Sequence, residues 1–219
     1  MGEYRTLSLS QLKVNPQNPR YRNPQTGEAE AILALFKEIK SKPEMALRHM
    51  LNLIDDIVKH GTNQADLPIV VPDPDESDKY QVMEGNRRIA SLKLLYFPEL
   101  AAEVFQAEPR VLKRLEEFRK DFLAQFQEQY KKVLCVVFST PKDANHWIYL
   151  RHTGENEGRG ITPWDKMAKD HFRLQISAPK HTIATQIVEI LAEKGYIRSD
   201  LPVVLSTLER MVKDPDVAA

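Results

Sequence analysis

Two arginines follow a glycine in the segment YQVMEGNRRIASLKLL, between a predicted strand and a predicted helix. With Asn86 as the helix N-cap, Arg87 and Arg88 fall in the first turn, where backbone N–H groups lack intrahelical partners. Gly85 removes the side chain that would block a close approach. This pattern predicts a cradle for a di- or triphosphate. The alternative is that both arginines only neutralise carboxylates at the surface, with Glu84 as one such partner.

A second polar cluster lies in the segment RHTGENEGRGITPW. Glu155 and Asn156 offer carboxylate and amide oxygens, the ligands that Mg²⁺ prefers. His152 could act as a base or donate to a phosphate, and it could equally cap the preceding helix. Thr162 as an N-cap and Pro163 as the first helical residue predict a helix start here. The loop is therefore a candidate ligand site, although many glycine-rich surface loops have a similar composition.

The overall charge indicates no particular partner, because 31 basic and 31 acidic residues cancel. Any anion site must therefore be local. The single cysteine, Cys135, lies in the apolar run KVLCVVFS, which predicts a buried core thiol. No stretch approaches the roughly 18 apolar residues of a membrane span, and the first residues lack the apolar core of a signal peptide. We expect a cytoplasmic protein without disulfides.

Strands and helices alternate around these clusters. Residues 4–14 predict one strand, and the Asn-Pro steps that follow predict a rigid loop. Helical periodicity then runs from about residue 28 to residue 60, with a break at Pro43 and an end at Gly61. Further strands are predicted at 67–72, 80–84 and 132–139, and further helices at 86–97, 99–132, 141–151, 162–175, 181–194 and 204–213. The layout predicts a small mixed sheet with helices, a helical insertion and a helical C-terminal part.

Two segments resemble motifs of the ParB/sulfiredoxin-type nucleotide-binding family. MEGNRRIASLKLL is similar to the family's second motif, and VNPQNPRYR, at residues 14–22, is similar to the first. The resemblance implies an α/β (α+β) core of this type over residues 1–157, with the insertion at about 99–132. It also implies a helical part over residues 158–219 that could form a helix-turn-helix and bind DNA. The nucleotide-binding residues that it implies are Gly85, Asn86, Arg87 and Arg88 from the second motif, and Arg20 and Arg22 from the first.

The family's third motif is a Glu-Asn pair before a helix that begins with proline. GENEGRGITP resembles it and places Glu155 and Asn156 on the pair, which implies a catalytic carboxylate and a magnesium-binding amide. An offset alignment places Arg151 and His152 there instead. Both alignments stay open at the level of sequence.

Asn86 stands where sulfiredoxin has a cysteine and where a related serine kinase has a histidine, so neither activity is expected. The resemblance implies a DNA-associated protein that binds ATP or CTP with Mg²⁺ and hydrolyses it, in plasmid maintenance or phage defence. One alternative is a metal-dependent nuclease that uses Glu84 or Glu155. The other is a non-enzymatic DNA-binding adaptor. A homodimer and further domains beyond residue 219 are also expectations.

Overall fold

The computed structural model of this chain describes residues 2–21, 23–37, 45–166, 168–169, 172, 183–197, 207–208 and 210–211. The chain divides into two compact units. The first ends at Tyr149, and the second begins at Leu150. None of the helices in the described ranges has the length and apolar character needed to cross a membrane.

The first unit contains a mixed sheet. Its described strands are β1 (Glu3–Ser8), β2 (Leu12–Val14), β3 (Ile69–Pro72), β4 (Tyr80–Glu84) and β5 (Lys132–Val137). They follow the order β1-β5-β3-β4-β2. β5 pairs antiparallel with β1 and parallel with β3, and β3 pairs antiparallel with β4. β2 pairs parallel with β4, which places Val14 opposite Val82 near the ends of both strands. The predicted mixed α/β architecture is confirmed.

The prediction of one strand over residues 4–14 is wrong, because this segment forms two strands. A 3₁₀ turn at Leu9–Gln11 separates them, and the Ser8 backbone N–H donates to Gln11 Oε1 at 3.0 Å. β1 and β2 then lie at opposite ends of the strand order. The chain from Ser8 to Leu12 can reach about 14 Å at most, whereas the outer strands of a flat sheet of this size lie about 19 Å apart. The sheet must therefore curve strongly.

The main core of the first unit forms between this sheet and the described helices that precede β5. They are α1 (Glu28–Lys37), α2 (Ala46–His60), α3 (Asn86–Tyr96), α4 (Pro98–Val104) and α5 (Pro109–Phe126). The predicted end of α2 is confirmed, because Gly61 takes φ 77° and its N–H donates to Ile57 O at 2.8 Å. The predicted break at Pro43 lies outside the described residues. The α2 side chains that become buried are Ala46, Met50, Ile54, Ile57 and Val58.

The segment predicted as helical at 99–132 forms α4, α5 and a short 3₁₀ turn. Leu115, Phe118 and Phe122 of α5 are buried in the same core as the sheet. The Phe122 ring meets the Tyr96 ring edge-on, with centroids 5.4 Å apart. The apolar side of α5 therefore packs within its own chain.

Among the described residues, the helices α6 (Pro141–His152) and α7 (Ile183–Glu193) follow β5. The predicted helix start at Thr162 is wrong. Residues 161–165 are not helical, and the described helical residues begin at Lys166. Asp165 Oδ1 accepts a hydrogen bond from the Ala168 N–H at 2.8 Å and caps this turn. The helical turn begins after Asp165 because the Asp165 carboxylate accepts a hydrogen bond from a first-turn backbone N–H. Pro163 has no backbone N–H and needs no such acceptor.

Candidate functional site

The two motif segments of the first unit meet at one edge of the sheet. β2 and β4 are parallel, so the loops after Val14 and Glu84 leave the sheet side by side. Ligands of α/β proteins commonly bind beyond the carboxyl ends of strands. A basic cleft of about 240 Å³ opens there. Its lining residues are Asn18, Arg20, Leu35, Leu53, Asp66, Glu84, Gly85, Asn86, Arg87 and Arg88.

The loop after β2 is held by its own asparagines. Asn15 Oδ1 accepts from the Gln17 N–H at 2.8 Å, and Asn18 Oδ1 accepts from the Arg20 N–H at 3.0 Å. The buried Tyr21 hydroxyl donates to the Ala31 carbonyl at 2.9 Å, which ties the loop to α1. These side-chain hydrogen bonds replace regular backbone pairing and hold the Arg20 backbone in place. The prediction of a rigid loop is confirmed.

Gly85 supplies the turn between β4 and α3. Its φ is 91°, a conformation that side chains other than glycine adopt at a cost. A Cβ here would lie 3.2 Å from Arg88 Nη2 and 3.4 Å from Pro68 Cα. The glycine is therefore favoured mainly by its backbone conformation.

Asn86 is the first residue of α3, not its N-cap, and Gly85 takes the cap position. The Asn86 side chain is buried, and its Oδ1 accepts from the Asn15 backbone N–H at 2.8 Å. The predicted capping role is wrong because this oxygen bonds across the cleft to the other motif segment. Asn86 therefore joins the β2 loop to the helix that carries the arginines.

Arg87 is half-buried and lies near Arg20. Its Nη2 donates to the His49 carbonyl at 3.3 Å, and its Nε donates to Met50 Sδ at 3.4 Å. Burial lowers the pKa of Arg87, and the charge of Arg20 lowers that pKa further. Within the part of the chain that the structure describes, neither guanidinium forms an ion pair. Two like charges thus face one cleft, which raises its affinity for an anion.

Arg88 has a different environment. Its Nη1 lies 2.9 Å from Asp66 Oδ2 and also donates to the Asp66 carbonyl, and its side chain is only 14% exposed. The alternative in which an arginine neutralises a carboxylate therefore holds for Arg88, with Asp66 as its partner. The sequence analysis suggested Glu84 as the carboxylate partner, and Glu84 lines the same cleft. Both arginines are only partly exposed.

The first unit also contains a charged group that the sequence reasoning missed. Lys93 of α3 is buried, and its Nζ contacts both carboxylate oxygens of Glu28 at 2.6 Å and the Leu12 carbonyl at 2.7 Å. Glu28 Oε1 also accepts from the Val14 N–H at 2.8 Å. This network joins α1, β2 and α3. Spacing alone could not find it, since Glu28 and Lys93 lie far apart in sequence.

The second unit holds the other predicted site residues. Asn156 takes φ 45°, and its Nδ2 donates to Thr153 Oγ1 at 2.6 Å and to the Gly154 carbonyl at 3.2 Å. These bonds orient the amide so that Oδ1 is the atom suited to a metal. Glu155 is exposed beside it, and His152 ends α6. A carboxylate next to an amide oxygen fits Mg²⁺, which usually takes few protein ligands and keeps waters or substrate phosphates.

Among the described residues, no cluster of three or more His, Cys, Asp or Glu side chains could hold a metal ion by itself. Arg22 lies outside the described residues. Asp66 and Asn15, by contrast, are site residues that sequence reasoning missed. Asn15 precedes a proline directly after a strand, and that position could have indicated it.

The fold and the cleft define a mixed α/β protein with a basic site beyond two parallel strands. The sequence matches no protein-family model and no curated protein. It is similar to a solved structure titled the C-terminally truncated chromosome-partitioning protein ParB from Caulobacter crescentus complexed with CTP-gamma-S. The identity is 15%, the TM-score is 0.38, and the match covers 98% of this chain and 81% of the ParB chain. A TM-score this low does not establish a common fold.

Proposed function

We propose that the first unit binds a nucleoside triphosphate, ATP or CTP, with its phosphates in the basic cleft. The observation that carries this proposal is that Arg20 and Arg87 line the same cleft, where burial and then the charge of Arg20 lower the pKa of Arg87. Like charges held together without a carboxylate cost free energy in the unliganded protein. A phosphate group offsets that cost, because each hydrogen bond to a charged group contributes about 1.5–3 kcal/mol.

The parts of the cleft have different tasks in this proposal. Arg87 and Arg20 contact phosphate oxygens directly, and the N–H groups of the first α3 turn add donors. Arg88 contributes charge while it remains bonded to Asp66. Asn86 contributes its backbone, since its side chain holds Asn15. Arg22 is proposed as a further phosphate contact from the same loop as Arg20.

We further infer that the nucleotide is hydrolysed slowly with Mg²⁺. Glu155 and Asn156 are the proposed metal ligands, and the resemblance of GENEGRGITP to the family's third motif supports this assignment. Glu155 would also orient water, with His152 as the alternative base. The nucleotide-binding part would cover residues 1–157, and residues 158–219 would associate with DNA in plasmid maintenance or phage defence. The resemblance of the motif segments supports this wider role.

Calorimetric titration with ATP and CTP tests the phosphate site. We expect Arg87→Ala to abolish binding, Arg20→Ala to weaken it by roughly tenfold or more, and Arg88→Ala to have a smaller effect. Arg114→Ala is the matched control, because Arg114 is an exposed arginine of α5 that pairs with Glu117. Unchanged affinity in Arg87→Ala, with an intact melting curve, would contradict the proposal.

Turnover measurements test the hydrolysis step separately. Glu155→Gln keeps the shape of the side chain but cannot accept a proton, so we expect affinity within a few-fold and turnover reduced by roughly 10² or more. If Glu155→Gln turns over normally and His152→Ala is inactive, the offset alignment is correct and the assignment moves to Arg151 and His152.

A metal-dependent nuclease is the second candidate function, because Glu84 lines the same cleft as the arginines. The cleft would then hold a phosphate of DNA, and Glu84 would help to place a metal and activate water. Incubation of supercoiled plasmid with the protein and Mg²⁺ distinguishes the candidates. Nicking that is lost in Glu84→Gln supports the nuclease. If the protein neither nicks the plasmid nor releases phosphate from a nucleotide, the adaptor is supported.

A further inference from the structure

A second cavity adjoins the basic cleft in the first unit, and we call it the side pocket. Its volume is about 330 Å³. Its apolar lining residues are Leu67, Pro68, Ile89, Leu92, Val133 and Leu134. Amide side chains at its rim, such as Asn63, Gln64 and Gln129, can donate and accept hydrogen bonds. Apolar walls with a few polar groups are typical of sites for planar organic ligands.

The side pocket and the cleft share two lining residues, Asp66 and Arg88. Their ion pair, at 2.9 Å between Arg88 Nη1 and Asp66 Oδ2, therefore stands at the boundary between a basic cavity and an apolar one. The cleft, at about 240 Å³, is smaller than the roughly 300–1,000 Å³ of common ligand sites. A ligand with a phosphate end and an apolar ring would use both cavities.

The boundary is rigid on both sides. Ile89 and Leu92 of α3 are each 1% exposed and form part of the side-pocket wall. Tyr130 lines the pocket and stacks on Phe122, with ring centroids 6.0 Å apart. Arg88 holds Asp66 through both its carboxylate and its carbonyl. The carboxylate of Asp66 is thus held in place before any ligand arrives, which lowers the entropic cost of binding.

We propose that the side pocket takes the base of the nucleotide and that Asp66, between the two cavities, accepts hydrogen bonds from the ribose hydroxyls. A carboxylate has two oxygens and about four acceptor positions, so it can bond to Arg88 and to a sugar together. Carboxylates recognise the ribose 2′-hydroxyl in other dinucleotide-binding folds by the same chemistry. Asp66 therefore makes the site selective for ribonucleotides over deoxyribonucleotides. This inference rests on the proposed phosphate site.

Titrations with ATP, dATP, CTP, dCTP and inorganic tripolyphosphate test the inference. The protein should bind each ribonucleotide roughly tenfold or more tightly than its deoxy form, because a site built around a hydroxyl rejects ligands that lack it. In Asp66→Ala the two affinities should agree within about threefold. A loss of structure would weaken all ligands alike and leave that ratio unchanged. Asp56→Ala, an exposed aspartate of α2, is the matched control.

A second variant tests the side pocket without touching the ion pair. Leu134 lines the pocket and is 45% exposed, so Leu134→Trp narrows the pocket without disturbing the core. We expect ATP and CTP to bind roughly tenfold more weakly to this variant, while tripolyphosphate binds as before. Equal ribose and deoxyribose affinities in the wild type, or unchanged nucleotide binding in Leu134→Trp, would overturn the inference. If none of the ligands binds, tripolyphosphate included, the proposed phosphate site itself is overturned and the inference with it.

Discussion

Asn86 Oδ1 accepts a hydrogen bond from the backbone N–H of Asn15 at 2.8 Å, and both residues are buried. This single bond connects the loop after β2 to the first turn of α3. Arg20 belongs to that loop and Arg87 to that turn. The distance between the guanidinium groups of Arg20 and Arg87 therefore depends on the uncharged side-chain amide of Asn86.

Replacement of Asn86 by alanine tests this connection. We expect Asn86→Ala to lower the free energy of unfolding by about 1–3 kcal/mol, because the buried Asn15 N–H loses its acceptor. It should also weaken anion binding, because Arg20 is no longer held near Arg87. Urea unfolding and titration with tripolyphosphate measure the two effects. Asn23→Ala, in an exposed part of the same loop, should change neither.

The two arginines should differ in their effect on stability. Arg87 lies near Arg20 and has no carboxylate partner within the described residues, so Arg87→Ala should leave the melting temperature of the unliganded protein unchanged or raise it. Arg88→Ala should lower it, because the ion pair between Arg88 and Asp66 is lost. Added phosphate should raise the melting temperature of the wild type but not that of Arg87→Ala. Equal destabilisation by both substitutions would contradict this distinction.

Replacing only one partner of the ion pair between Glu28 and Lys93 should lower the free energy of unfolding strongly. Burial lowers the pKa of Lys93, and the Glu28 carboxylate opposes that shift. Lys93→Met alone should cost about 3–5 kcal/mol, because it leaves a carboxylate without its cation. The double variant with Glu28→Gln should cost less than the sum of the two single changes. Urea unfolding of the four proteins measures this coupling, and strict additivity would disprove it.

Asp73 should make stability depend on pH in the acid range. Burial raises the pKa of Asp73, but Lys13 and the backbone N–H groups of Asp75 and Glu76 outweigh it, so the pKa lies below its ordinary value. The folded protein thus binds this proton less readily than the unfolded chain. The stabilisation is present above the unfolded pKa of about 3.9, and it is lost as the pH falls through the lower folded value. Unfolding free energies at pH 7 and pH 3 should therefore differ less in Asp73→Asn than in the wild type.

Cys135 should be unreactive in the native protein. The side chain is fully buried in β5, and burial raises its thiol pKa to about 12. The thiolate, which is the reactive form, is therefore scarce at neutral pH. A thiol reagent at pH 8 should label the protein only at the rate of unfolding and should label it fully in denaturant. Rapid native labelling would show that β5 opens locally.

The sequence by itself determined the elements whose signals are local. Gly61 ends α2 because a glycine can take the positive φ of that position, and YQVME forms β4 within the predicted bounds. The segment 99–132 was predicted as helical and contains α5, and the apolar run around Cys135 indicated a core strand. The Asn-Pro loop was also predictable, because asparagine side chains and proline restrict the backbone over a few residues.

Only the tertiary structure decided which distant residues meet. Residues 4–14 read as one strand until the sheet places β1 and β2 at opposite ends of its order. The partner of Arg88 is Asp66, which lies on another loop, although Glu84 is nearer in sequence. Asn86 bonds to Asn15 because parallel pairing of β2 with β4 brings the following loops together. Such contacts depend on strand order and packing between segments far apart in the chain, and residue spacing carries no direct record of either.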